Sequence, residues 1–128
     1  FGKPERVQYL ANMERDVDTS GILMMDYGHF KAACIGAKDC SADIKSTIQG
    51  NKGSIAVLGP TNSMPELSLA LNGQSMTMIN ENSLNHRMQD EFVAFQAIIE
   101  HQDMTAMKLA LEHSRLVMEV LEAAVNSL

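Results

Sequence analysis

The chain predicts an α+β fold: a mostly antiparallel open sheet of about six or seven strands, packed by two C-terminal helices. Three features of the sequence carry that prediction. Up to about residue 80, short apolar and polar residues alternate between turn-forming clusters. After residue 81 the periodicity changes to that of two helices with no strand behind them. The last helical stretch, Met104 to Asn126, confines Lys108, Glu112, Arg115, Glu119, Glu122 and Asn126 to one narrow stripe at steps of three and four. Roughly two-thirds of that helix is therefore apolar and must be covered by a neighbouring helix, a further domain or another subunit.

The strands follow in order. Val7, Tyr9, Ala11 and Met13 alternate with Arg6, Gln8 and Asn12 across Glu5 to Met13, as in a half-buried strand. A polar turn is expected from Glu14 to Ser20. Ile22 to Tyr27 and Phe30 to Lys38 form a hairpin across Gly28-His29, with glycine where positive φ is needed. Ala42, Ile44 and Ile48 oppose Asp43, Lys45, Thr47 and Gln49, and Gly50-Asn51-Lys52-Gly53 turns the chain into Ser54 to Leu58. After an irregular stretch from Gly59 to Pro65, Leu67, Leu69 and Leu71 line one strand face, and Asn72-Gly73 leads into Gln74 to Asn80. Met88, Phe92, Phe95 and Ile99 mark the first helix, capped by Asn85 or Ser83, and Asp103 caps the second.

Composition narrows the function classes. A chain of 128 residues is long enough for one domain and too short for two good cores. An apolar share of 45% excludes a disordered tail, and a net charge of −6 with no gathering of Lys and Arg argues against nucleic-acid binding. The absence of an apolar run of about 18 residues and of a signal-peptide pattern points away from membrane insertion and secretion. A cytoplasmic protein with reduced thiols is expected. On one strand Cys34 and Cys40 would stand about 20 Å apart, too far to bridge. The chain starts on Phe1 instead of methionine, which suggests a piece of something longer.

Motifs with chemical content are weak. Asp16-Val-Asp18-Thr-Ser20-Gly21 copies the first half of an EF-hand calcium loop, but Tyr27 stands where a bidentate glutamate is required and the flanks are strands, so a plain acidic turn is expected. His29, His86, His101 and His113 lack metal-ligand spacing. Ser114 lies in the apolar stripe of the last helix and suits close helix approach better than nucleophilic attack. The ten methionines fit core filling, and Gly50-Asn51-Lys52-Gly53 is not a phosphate-binding loop.

Taken in order, Phe1-Gly-Lys-Pro-Glu-Arg-Val7, Asp18-Thr-Ser20 before Ile22-Leu23 and Tyr27-Gly28, Ile48-Gln-Gly50-Asn-Lys-Gly53-Ser-Ile55, Asp90-Glu91 with Phe95, and His113-Ser114 with Met118-Glu-Val-Leu121 resemble the C-terminal domain of the Gfo/Idh/MocA oxidoreductases. The resemblance covers essentially the whole chain and lies in the order and spacing of degenerate motifs. It implies that residues 1–128 are a single C-terminal substrate and oligomerisation domain, joined in the parent protein to an N-terminal Rossmann domain that binds NAD or NADP. It further implies hydride transfer to or from a sugar, cyclitol or related polyol. The family's dinucleotide glycines, its Glu-Lys-Pro lysine and its Asp and His pair have no counterpart here, so no catalytic residue, metal ligand or cofactor-binding residue is assigned within this chain. The tyrosine that many members carry three residues before the glutamate matching Glu91 is Met88.

The expected role is to close the substrate pocket and hold subunits together. Asn12, Arg15, His86 and Arg87, near strand ends and the first helix start, are the candidate substrate neighbours; solvated surface groups are their competing reading. The other class of function is a freestanding ligand-binding or dimerisation module without an enzyme attached. Both faces of the central hairpin are apolar, since Ile22 and Met24 alternate with Leu23, Met25 and Tyr27, and Ala33 and Ile35 with Phe30, Ala32 and Cys34. One face should therefore meet a second copy of the chain.

Overall fold

A computed structural model describes residues 1–80, 86 and 88–128. Among these residues the fold is α+β, with seven strands followed by two helices. The strands fall into two antiparallel sheets of three and four instead of one open sheet. The chain divides into two compact units, Phe1–Ser41 with Gln102–Leu128, and Ala42–His101. No described helix is long and apolar enough to cross a membrane.

The first unit is a meander of β1 (Arg6–Glu14), β2 (Val17–Asp26) and β3 (Lys31–Ala37), in that order across the sheet. β1 and β2 join through Arg15 and Asp16, both left-handed at φ 52° and 62°. Positive φ at both central residues defines the turn whose twist matches a hairpin, here built without glycine. The polar run Val17 to Ser20, expected as turn, is consequently strand. Across Gly28-His29 the hairpin is as expected, with Gly28 at φ 77° and the Tyr27 N–H bonded to the Phe30 carbonyl at 3.1 Å. Tyr27 and Phe30 stack there with ring centres 4.5 Å apart.

The helix of this unit, which we number α2 by chain order, spans Met104–Val125 and packs on β1. Asp103 caps it as expected, its carboxylate accepting from the Thr105 and Ala106 N–H groups at 3.1 and 2.9 Å. Leu116 and Val120 are half-buried and Ala124 is buried at 6% exposure, a line of residues spaced by four along the helix. Ser127 Oγ, past the last turn, accepts the Tyr9 N–H at 2.8 Å, and Lys3 pairs with Glu119 at 2.7 Å. Arg115 bridges Glu112 and Glu119 along the polar stripe. Leu109, Leu111, Met118 and Val125 remain exposed, and Ser114 donates to the Ala110 carbonyl.

The second unit is the meander β4 (Lys45–Gly50), β5 (Gly53–Leu58), β6 (Leu67–Leu71) and β7 (Thr77–Ile79), followed by α1 (Gln89–Glu100). Its buried residues, Ala56 and Ser68, face each other across β5 and β6. Gly53 has φ 151°, and a methyl group built there would lie 2.1 Å from the Ala70 carbonyl oxygen. Only glycine lets β6 pass that closely. β7 starts later than the Asn72-Gly73 signal suggests. Only Gly73 has positive φ there, which makes a type II turn that splays its flanks, so pairing resumes at Leu69 opposite Thr77. The cap expected at Asn85 or Ser83 lies outside the described residues; Met88 occupies the N-cap position without a side-chain bond, while Asp90 and Glu91 suit the positive end of α1.

Two substitutions test these assignments by chemical denaturation. Gly53→Ala should destabilise the protein by about 1–3 kcal/mol through backbone strain. Asp103→Ala should cost about 1 kcal/mol by removing the cap. A Gly53→Ala variant as stable as the parent would contradict the tight β5–β6 passage.

Candidate functional site

Chemistry-bearing side chains converge in the first unit, on the sheet face beneath α2. On that face Tyr9 opposes Leu23, which opposes Cys34, and Gly21 opposes Gly36. The Tyr9 ring leans across Gly21. A methyl group on residue 21 would come within 2.5 Å of a ring carbon and 2.7 Å of the Leu10 carbonyl oxygen, so glycine is what makes room for the ring. The Tyr9 hydroxyl thereby reaches Asp18 and donates to Oδ2 at 2.9 Å.

Asp18 stands on this face because of a β-bulge. Asn12 pairs with Ser20 but Met13 pairs with Asp18, so Thr19 is the extra residue. Regular alternation from Leu23 through Gly21 would have turned Thr19 to the Tyr9 side and Asp18 away from it. The bulge reverses that choice, as bulges do where a side chain must be re-aimed. Lys38, just past β3, completes the group: its N–H bonds the Thr19 carbonyl at 2.7 Å and its ammonium donates to the Asp18 carbonyl at 2.8 Å and to Oδ1 at 3.0 Å.

The electrostatics follow from these bonds. The Lys38 hydrogen bond, helped by that from Tyr9, holds the Asp18 carboxyl below its ordinary range. The Tyr9 hydroxyl is pushed above its ordinary 10.0, chiefly because it donates to Asp18 and secondarily by partial desolvation. A phenol held protonated in this way is a hydrogen-bonding group at neutral pH and a poor base. Beside the trio lies a cavity of about 430 Å³ whose walls include Leu23, Cys34, Gly36, Leu121 and Val125.

Of the four residues expected beside a substrate, Asn12 and Arg15 belong to the first unit and stand apart from the Tyr9–Asp18–Lys38 trio. Asn12 is on the opposite sheet face, where its amide donates to Ser20 Oγ at 2.8 Å and it borders a second, more open hollow of about 620 Å³ with Leu10, Ile22 and Ile35. Arg15 sits in the β1–β2 turn, 91% exposed, with Glu14 at 3.9 Å. His86 belongs to the second unit and accepts the Met88 N–H through Nδ1 at 3.2 Å, which holds the start of α1. Arg87 lies outside the described residues. Asp16 and Asp18, the two carboxylates of the calcium-like motif, are divided between a turn and a strand, with Asp18 committed to Tyr9 and Lys38. Among the described residues no three His, Cys, Asp or Glu side chains gather as a metal site, and Cys34 and Cys40 are free and exposed.

Comparison with known proteins adds a partial relationship. Over 58 residues the chain is 36% identical to a protein of Escherichia coli K12 described as "Uncharacterized oxidoreductase YgjR". The matched stretch is 44% of this chain and 18% of that protein, so the chain covers less than a fifth of its relative's length. No family model matches the chain.

The trio makes a pH prediction with a definite sign. Tyr9 has a raised folded value, so its bond to Asp18 supports the fold below pH about 10 and is lost as pH rises through the raised value. Asp18 has a lowered value, so its contribution is present above the ordinary carboxylate pKa and disappears as pH falls through the lowered one. In Asp18→Ala, tyrosinate absorbance should show Tyr9 titrating back toward its ordinary value. Two identical titration curves would refute the Tyr9–Asp18 bond.

Proposed function

We propose that this chain is the pocket-forming, subunit-joining part of an NAD(P)-dependent oxidoreductase acting on a sugar, cyclitol or related polyol. The observation that carries the proposal is the 36% identity over 58 residues to a protein described as an oxidoreductase, in keeping with the resemblance to the Gfo/Idh/MocA C-terminal domain. Hydride transfer from a hydroxyl-bearing carbon needs a nicotinamide beside that carbon and a group to take the hydroxyl proton. The described residues do not fit a dinucleotide. α2 starts on Gln102-Asp103 soon after α1, and no glycine stands between Ile79 and the start of α1, so neither helix has the glycine-rich lead that cradles a pyrophosphate. The cofactor and the proton acceptor are accordingly assigned to a separate Rossmann domain of the parent protein.

The chain's own share is shape and assembly. The face of the first sheet turned from α2 carries Leu10, Ile22, Met24 and Ile35, with Ile35 81% exposed at the centre of the edge strand. We take a second copy of the chain as its partner. Met25, on the other face, is half-buried on the α2 side.

Two experiments test the reading. The complete gene product, incubated with NAD or NADP and a panel of sugars and cyclitols, should reduce the nicotinamide with at least one of them. No reduction with any cofactor or substrate, together with no cofactor binding by calorimetry, would favour the freestanding binding or dimerisation module. The 128-residue chain expressed alone should bind neither cofactor and should scatter light as a dimer or larger. Ile35→Glu should split that assembly without changing the circular dichroism. A 14.0 kDa particle from the unmodified chain would remove the sheet face from the interface.

A further inference from the structure

We propose that the cavity between the first sheet and α2 is a binding site for a small neutral molecule with an apolar body and one hydroxyl group. Its volume of about 430 Å³ is in the range of small-ligand sites. The body of the cavity is apolar, walled by Leu23 from β2, Cys34 from β3, and Leu121 and Val125 from α2. Such walls offer the many hydroxyls of a polyol few partners, so this ligand is distinct from the substrate class proposed above.

One end of the cavity is polar, and its hydrogen-bonding capacity is uneven. Lys38 spends two of its three ammonium protons on Asp18 and has one to give. The Tyr9 hydroxyl has spent its proton on Asp18 and its oxygen can only accept. A donor and an acceptor side by side match a hydroxyl, which both accepts and donates. Because Lys38 and Asp18 offset each other's charge, a neutral head group is favoured over a carboxylate or an amine. Of the two facing glycines, Gly21 accommodates the Tyr9 ring and Gly36 leaves room in the cavity. At Gly36 an added methyl group meets nothing within 4 Å, and the space it would enter is the cavity itself.

Gly36 also supplies the test. Calorimetric titration of the complete protein with p-cresol, and with toluene as the same body lacking the hydroxyl, should give saturable binding of p-cresol in the millimolar range. Toluene should bind about tenfold more weakly. Gly36→Leu should fill the cavity and abolish binding of both. Lys38→Met should leave toluene binding in place and erase the preference for p-cresol. Should Gly36→Leu fail to fold, Val125→Phe blocks the same space from the helix side. Absence of saturation, equal affinity for the two probes, or binding undiminished in a folded cavity-filled variant would each overturn the proposal. Failure of polyol oxidation leaves these outcomes unchanged, so the two readings fail separately.

Discussion

The first unit depends on the seam between α2 and β1. An antiparallel three-stranded meander has two open edges and cannot bury both faces, so by itself it is marginal. Here α2 packs on β1, with Leu116 and Val120 half-buried and Ala124 buried. Ser127 takes the outward-pointing Tyr9 N–H that would otherwise be an unpaired edge donor. Lys3 and Glu119 tie the segment before β1 to the same helix. The ion pair is exposed and adds little; the covered apolar line and the satisfied edge donor define which sheet face is inside.

That choice of inside organises everything else on the sheet. With Tyr9, Leu23 and Cys34 turned to the helix, Leu10, Ile22, Met24 and Ile35 must turn outward, because alternation leaves no third option. The polar trio then arises from two local departures from ideal strand geometry. A glycine at position 21 removes the side chain the Tyr9 ring would strike, and a bulge at Thr19 swings Asp18 to the ring's side. Lose either, and the hydroxyl and the carboxylate no longer meet.

α2 illustrates an unfinished surface. Its sequence asks for cover over most of its circumference, while β1 supplies a strip one residue wide per turn. Leu109, Leu111, Met118 and Val125 stay exposed on the other sides. An apolar area of that extent is what motivates the proposal of a partner surface for this chain.

Local patterns in the sequence were enough to determine the α+β class, the succession of strands and two helices, the Gly28 hairpin, the Leu67–Leu71 strand and the Asp103 cap. Each rests on neighbours a few residues apart. The division of seven strands into two sheets, the left-handed Arg15-Asp16 turn and the short β7 were decided by the tertiary structure, since strand partners and turn type depend on how distant segments pair. The site was least legible. Asn12, Arg15 and His86 stood out as polar residues at element ends, yet strand geometry sends Asn12 to the outer face and leaves Arg15 in solvent, while His86 holds a helix start. Tyr9, Asp18 and Lys38 carry no motif. Their meeting requires a one-residue register shift that inverts side-chain alternation, and a register shift exists only once two strands are paired.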